Sequence, residues 1–216
     1  VVNPAQQLSP AWLPEGFSDE PLAPPHRTTV LAETRVVREL PRLLLHSPRL
    51  ATAQRGQGAP VMVMPGIGTT DAVTAPLRGY LSYLGHDARG WGIGRNHGDV
   101  PALVPQVLAA VGQLAEDAAE PVHLVGWSLG GVLAREVARE QPDLVAQVIT
   151  YGTPVVGGPA YTLAAQSYGA DTVAAIQRQV AERNRVPIEV PVTAIYTRRD
   201  NVVAWRACID TVSPDI

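Results

Sequence analysis

From residue 61 onward, short apolar runs alternate with stretches whose apolar positions recur at helical spacing. Val61–Met64 is wholly apolar and ends in Pro65-Gly66, as a strand buried on both faces of a parallel sheet would. Asp87–Trp91, Pro121–Trp127, Ala146–Tyr151 and Pro191–Thr197 predict four more strands. Thr70 or Asp71 is placed to cap a helix running to about Leu84, with Pro76 near its start. Asp99 and Pro101 open the next helix, on which Leu103, Val104, Val107, Leu108, Val111 and Leu114 share one face. Helical spacing returns over Val132–Glu140, stopping at Pro142, and again from about Asp171 to Arg183. This alternation predicts an α/β fold with a doubly wound, mostly parallel sheet.

The first 57 residues read differently. Residues 1–26 are proline-rich and aperiodic, an extended arm. A helical pattern follows over 28–45, interrupted by Pro41. Arg27, Arg35, Arg38, Arg42 and Arg49 stud this region, a solvated face in preference to a membrane-surface helix. The expected organisation is an arm and helix over 1–57 and an α/β core over 58–216, with a cap or lid at about 152–185.

Composition narrows the chemistry. A chain of 216 residues suits one α/β core. A net charge of −3 with no basic block argues against a nucleic-acid partner. All 17 basic residues are arginine, which excludes a Schiff-base lysine, a Ser-Lys dyad and a P-loop lysine. The single cysteine, Cys208, can form neither an internal disulfide nor a metal cluster, and reads as a small buried hydrophobe. No metal or cofactor is expected. No run approaches the roughly 18 apolar residues of a membrane span. Val1-Val2-Asn3-Pro4 lacks both a methionine and a signal-peptide pattern, so the chain reads as beginning after processing or trimming; localisation stays open, with cytoplasmic as the default.

One stretch, "HLVGWSLGG" at 123–131, sets a serine between glycines where an apolar strand gives way to a helix. Gly126-Trp127-Ser128-Leu129-Gly130 fits G-x-S-x-G in its expected context, a strained turn that lifts the serine hydroxyl above a sheet. Gly126 and Gly130 allow strand and helix to close on each other. Leu129, first in the helix, offers a backbone N–H where partial positive charge favours an oxyanion. Ile67, in Met64-Pro65-Gly66-Ile67-Gly68 after the first strand, is the candidate second donor. A dinucleotide fingerprint is the competing reading of Gly66-Ile67-Gly68, but Asp71 occupies its third glycine position. Asp200, closing the fifth strand in "RRDNVV", is placed either to orient a histidine or to pair with Arg198 or Arg199.

Together "VMVMPGIGTTD", "VHLVGWSLGG" and "VTAIYTRRDNVVAW", with "GWGIGRN" at 90–96, resemble the α/β-hydrolase superfamily, and within it bacterial lipases and esterases. The resemblance covers roughly residues 58–207. It implies Ser128 as nucleophile, Asp200 as acid, and Ile67 and Leu129 as oxyanion donors. The single-glycine oxyanion segment is similar to that of lipases taking medium or longer acyl chains.

The family's histidine follows the acid, and none follows Asp200 here: His26, His46, His86, His97 and His123 all precede it. His123 reads as a packed strand residue. The expectation is an incomplete chain, lacking its last strand, its catalytic histidine and a closing helix, and inactive or very weak as it stands. The expected activity is ester hydrolysis on a small acyl ester or a lipid. Alternatives are a non-catalytic binding protein of the same fold and an acyltransferase using the same serine. Val155, Val156, Tyr161, Leu163 and Tyr168 either line an apolar pocket or pack in the core.

Overall fold

The computed structural model describes Phe17, residues 22–25, Leu45, residues 48–211 and Ser213. Most of the arm, and the helix expected over 28–45, lie outside the described residues.

Five parallel strands form one sheet: β1 (Pro60–Met64), β2 (Asp87–Gly90), β3 (Val122–Trp127), β4 (Val145–Tyr151) and β5 (Val192–Ile195). Their order is β2-β1-β3-β4-β5. The helices are α1 (Asp71–Tyr83), α2 (Val100–Ala118), α3 (Leu129–Glu140) and α4 (Ala170–Arg183).

Strand side chains alternate between faces, so β1 and β3 divide their apolar residues between two cores. Met62, Met64, Val122 and Leu124 join Val107 and Val111 of α2 and Leu133 and Val137 of α3. Val61, Val63 and Val125 face Leu77 and Leu81 of α1. Each such side chain, fully buried, contributes about 1.5–3 kcal/mol. This is why β1 reads as an unbroken apolar run: all five of its residues are buried.

Local chemistry sets the element ends. Thr70, not Asp71, caps α1, accepting from the Ala72 N–H. Asp71 instead turns its carboxylate to the N–H groups of Trp91 and Gly92, at 3.1 and 3.0 Å. Those bonds draw Trp91 out of the strand, so β2 ends one residue early. β5 likewise stops at Ile195, before a turn in which the Asp200 N–H donates to the Thr197 carbonyl. α3 begins at Leu129, earlier than the spacing of side chains shows, because Gly130 and Gly131 have none to display.

From β1 the chain steps outward to β2, then returns past β1 to β3 and continues the other way. The crevice at the carboxyl ends of β1 and β3 is therefore a topological switch point, where open α/β sheets bind ligands. The segment after β1 begins at Pro65 and the segment after β3 at Ser128.

Residues 152–185 fold as two 3-10 turns, Gly158–Tyr161 and Leu163–Ser167, followed by α4. The Val155 and Val156 N–H groups both donate to the Ala207 carbonyl, joining this segment to the chain after Asp200. No described helix is long and apolar enough to cross a membrane.

Candidate active site

Ser128 stands at the turn from β3 into α3 with φ 51° and ψ −120°. Among the described residues only Ala119, at the end of α2, is another non-glycine with positive φ. Such a conformation costs of order 1–3 kcal/mol and persists where its surroundings enforce it. Here the Ser128 N–H donates to the Tyr151 carbonyl of β4, and the Ser128 carbonyl accepts from the Gly131 N–H, both at 3.0 Å. A side chain at Gly126 would collide with the Gly131 backbone, and one at Gly130 with the Met64 carbonyl. Strand, helix and the segment after β1 thus touch backbone to backbone around the serine.

That segment is a tight turn. The Thr69 N–H and hydroxyl both donate to the Gly66 carbonyl, at 3.2 and 2.7 Å. Gly66 lies against the elbow, where an added Cβ would be 3.3 Å from the Ser128 Cβ. The Ile67 N–H makes no hydrogen bond among the described residues, and its side chain is 45% exposed. Leu129 heads α3, so its N–H is among the four that have no intrahelical partner, at the positive end of the helix.

Asp200 follows β5. Its Oδ1 accepts from the Val202 and Val203 N–H groups, at 2.8 and 2.9 Å. Its Oδ2 takes no hydrogen bond from a described residue and lies 3.4 Å from where a Cβ on Gly152 would be. Gly152 directly follows Tyr151, whose carbonyl holds Ser128, so serine and carboxylate share the carboxyl edge of the sheet. The carboxylate pairs with neither Arg198 nor Arg199; the Arg198 guanidinium lies 4.9 Å over the Trp205 ring instead. Cys208, also near Asp200, is buried, and that burial first, then the carboxylate, pushes its thiol up to about 12. A neutral thiol is a poor nucleophile.

The histidines lie elsewhere. His123 pairs with Val61 at the amino ends of β3 and β1, and burial holds its imidazole below the ordinary value. His86 immediately precedes β2 on the same far edge. His97 is exposed, and His26 and His46 lie outside the described residues. Among the described residues none groups three His, Cys, Asp or Glu side chains to hold a metal ion.

No protein-family model matches the chain. The pimeloyl-[acyl-carrier protein] methyl ester esterase of Aliivibrio salmonicida is 37% identical over 101 residues, 44% of this chain and 36% of that one. The triacylglycerol lipase of Pseudarthrobacter phenanthrenivorans is 42% identical over 80 residues, 37% of this chain and 21% of the lipase. The matches thus span well under half the length of these curated relatives. A solved structure of a metagenome-derived lipolytic enzyme superposes with a TM-score of 0.53 at 17% identity, covering 75% of this chain and 82% of that one. The chain has the α/β-hydrolase fold, and its matched segments are similar to those of esterases and lipases.

A cavity of about 570 Å³ runs beside the elbow. Ser128 and, from α3, Leu129, Val132, Arg135, Glu136 and Arg139 line it as one stripe at helical spacing. From Ser128 to Glu140 that stripe is roughly 18 Å long at 1.5 Å per residue. α2 contributes Val104, and α4 contributes Ile176 and Val180. Of the five side chains expected to line a pocket or pack in the core, Val155 and Tyr168 reach this cavity, and Val156, Tyr161 and Leu163 do not line it. Tyr161 accepts instead from the Gln177 side chain.

The far end is charged. Glu136 takes Arg139 at 2.5 Å and Arg183 at 2.6 Å, while Arg135 donates to Asp210 at 2.7 Å. Arg135 and Glu136, charged residues to which the sequence reading gave no role, are both buried. Cover from distant segments, Arg183 of α4 and Asp210 near the end of the chain, carries no local signal. Two further residues had no role in the sequence reading. Fully buried Thr153 fills the space beside Gly131, and Asn96 lies within the quoted "GWGIGRN". A polar residue in a glycine-rich loop ordinarily reads as solvated.

Proposed function

We propose that the protein is a serine hydrolase that cleaves carboxylic esters through an acyl-enzyme at Ser128. The observation that carries this reading is Ser128 itself, a non-glycine residue at positive φ on a strand–helix turn beside a cavity. That turn lifts a hydroxyl clear of both elements. The relatives are a methyl ester esterase and a triacylglycerol lipase, which supports ester chemistry.

In this mechanism Ser128 Oγ attacks the ester carbonyl carbon while a histidine removes its proton. The carbonyl π pair moves onto oxygen, which takes hydrogen bonds from the Ile67 and Leu129 N–H groups. Collapse of the tetrahedral species expels the alcohol, which receives the proton from the histidine. Water, deprotonated by the same base, then cleaves the acyl-enzyme and frees Ser128. Asp200 orients the histidine through Oδ2, the oxygen that Val202 and Val203 leave available. The reading places that histidine beyond Ile216, one apolar strand after the acid.

The cavity supports an acyl chain of middling length. Val104, Val132, Ile176 and Val180 give it apolar walls, and the Glu136 ion-pair cluster closes the far end against a longer alkyl tail. Residues 152–185, which carry α4, form the cap on this reading.

A second reading, a binding protein that keeps the fold without the chemistry, draws on the absence of histidine from the described residues lining the cavity. A fluorophosphonate probe separates the two in protein expressed from the complete reading frame. The hydrolase labels, and Ser128→Ala abolishes labelling. Equal labelling of wild type and Ser128→Ala would overturn the assignment.

A further inference from the structure

Asn96 is fully buried in the loop between β2 and α2, six residues beyond the end of β2, and all four of its amide hydrogen-bonding groups meet the active-site edge. Its side-chain Nδ2 donates to the Pro65 carbonyl at 2.9 Å, and its Oδ1 accepts from the Gly98 N–H at 3.1 Å. Its backbone N–H donates to the Thr69 carbonyl at 2.9 Å, and its carbonyl accepts from the Gly68 N–H at 2.7 Å. Asn96 therefore fastens the 65–69 turn on both sides of Ile67.

The bond from Gly98 adds a second constraint. By holding the Gly98 N–H, Asn96 brings the Gly98 backbone onto the two side chains flanking the elbow. A Cβ there would lie 2.9 Å from Ile67 Cδ1 and 3.8 Å from Leu129 Cδ2. The loop itself is anchored upstream by the Asp71 carboxylate, which takes the Trp91 and Gly92 N–H groups.

We infer that Asn96 is a positioning residue that holds the Ile67 N–H at the oxyanion site. The inference rests on the ester-hydrolase reading above. A turn tethered only at Pro65 could swing its amide by rotation about two backbone bonds. Tethers at residues 65, 68 and 69 remove that freedom before substrate arrives, and preorganisation is what gives an oxyanion donor its effect. Buried in place of water, the amide satisfies a carbonyl and an N–H that would otherwise stay unpaired. Asparagine suits the task because it presents a donor and an acceptor on one short planar group.

The discriminating variant is Asn96→Asp, which keeps the size and the acceptor for Gly98 but loses the donor to Pro65. It is assayed with an oxo ester and its thiono analogue, whose sulfur is larger and a poorer acceptor. Removal of an oxyanion donor costs about 10²–10³ in kcat, and a donor misplaced but still present on the order of 10–100-fold, the upper end being the cost of a displacement of about 1 Å. For Asn96→Asp, kcat on the oxo ester should fall within that smaller range while KM changes little. The oxo-to-thiono ratio should fall with it, because the thiono ester depends less on the hole. A loss of kcat with an unchanged ratio would assign Asn96 to general packing and overturn the inference, as would unchanged kcat.

Amide exchange of wild type gives a second measurement that needs neither a folded variant nor activity. The Gly68 and Gly98 amides should exchange about a hundredfold or more slowly than the exposed amide of Gly94. Equal rates would overturn the inference. If Ser128 fails to label, the hydrolase reading falls and takes the oxyanion role with it, whatever the exchange rates. A labelled Ser128 with fast Gly68 exchange removes the Asn96 role alone.

Discussion

Ser128 sits where β1, β3 and α3 meet with no room for a side chain at Gly126 or Gly130, whereas Asp200 follows an edge strand whose last residue, Ile195, is 55% exposed. β3 is paired on both sides and β5, among the described residues, on one. The serine's geometry is enforced by backbone against backbone. The carboxylate's is set by its own loop, through Oδ1 and two following N–H groups, and the residues on either side of that loop are joined by ring contacts. Tyr196 stacks on Trp205 at 5.6 Å, and Phe17, far off in sequence, meets Trp205 edge-on at 6.3 Å. On the proposed mechanism, a nucleophile that must be strained needs a rigid mount, while an acid that only orients its partner can sit on a loop.

Four outcomes would break or sharpen that contrast. The largest falls on the acid side. Asp200→Asn should lower kcat by about 10³–10⁴, because it favours the wrong histidine tautomer. Its thermal midpoint should stay close to wild type, since the amide oxygen still accepts from Val202 and Val203. A midpoint that collapses with kcat would show the loop to be as rigidly coupled as the elbow.

Next comes Gly126→Ala on the nucleophile side. With backbone on both sides of the new methyl group, relaxation is costly, and the loss of stability should be about 3 kcal/mol or more by denaturant titration. Gly152→Ala, its counterpart beside Asp200, meets only Oδ2 at 3.4 Å and should cost about 1 kcal/mol through its positive φ of 55°. Similar losses at both sites would erase the contrast.

Ser128→Gly isolates the strain. It should abolish turnover while raising stability by about 1 kcal/mol, because glycine adopts positive φ without steric cost. A destabilised Ser128→Gly would mean that the turn stores no strain.

The smallest effect lies at the other edge of the sheet. Burial lowers the folded-state pKa of His123 below its ordinary 6.5. Between the folded value and 6.5 the unfolded chain binds more protons, so stability should rise with pH through that window and level off above it. His123→Gln should flatten that rise in urea midpoints measured across mildly acidic pH.

Most of the sheet was legible because its signals are local. Val61–Met64 and Val122–Trp127 announce buried strands by composition, and the glycines around Ser128 mark the close approach of strand and helix. Element ends were less legible, since Asp71 could serve either as a cap or as a partner for the β2 loop, and only the fold decides between them. The buried Arg135 and Glu136 could not be read, because their cover comes from segments remote in sequence. Asn96 shows the same limit at the site: three of its four bonds reach residues 27 to 31 positions away, and no local pattern encodes them.

The central claim is a covalent intermediate on one serine. The direct measurement is an acid quench of the full-length protein during turnover of a p-nitrophenyl ester, followed by peptide mass analysis. The account predicts an acyl adduct on the peptide carrying Ser128, absent from Ser128→Ala. Turnover with the acyl group on another residue, or in Ser128→Ala at wild-type rate, would contradict it.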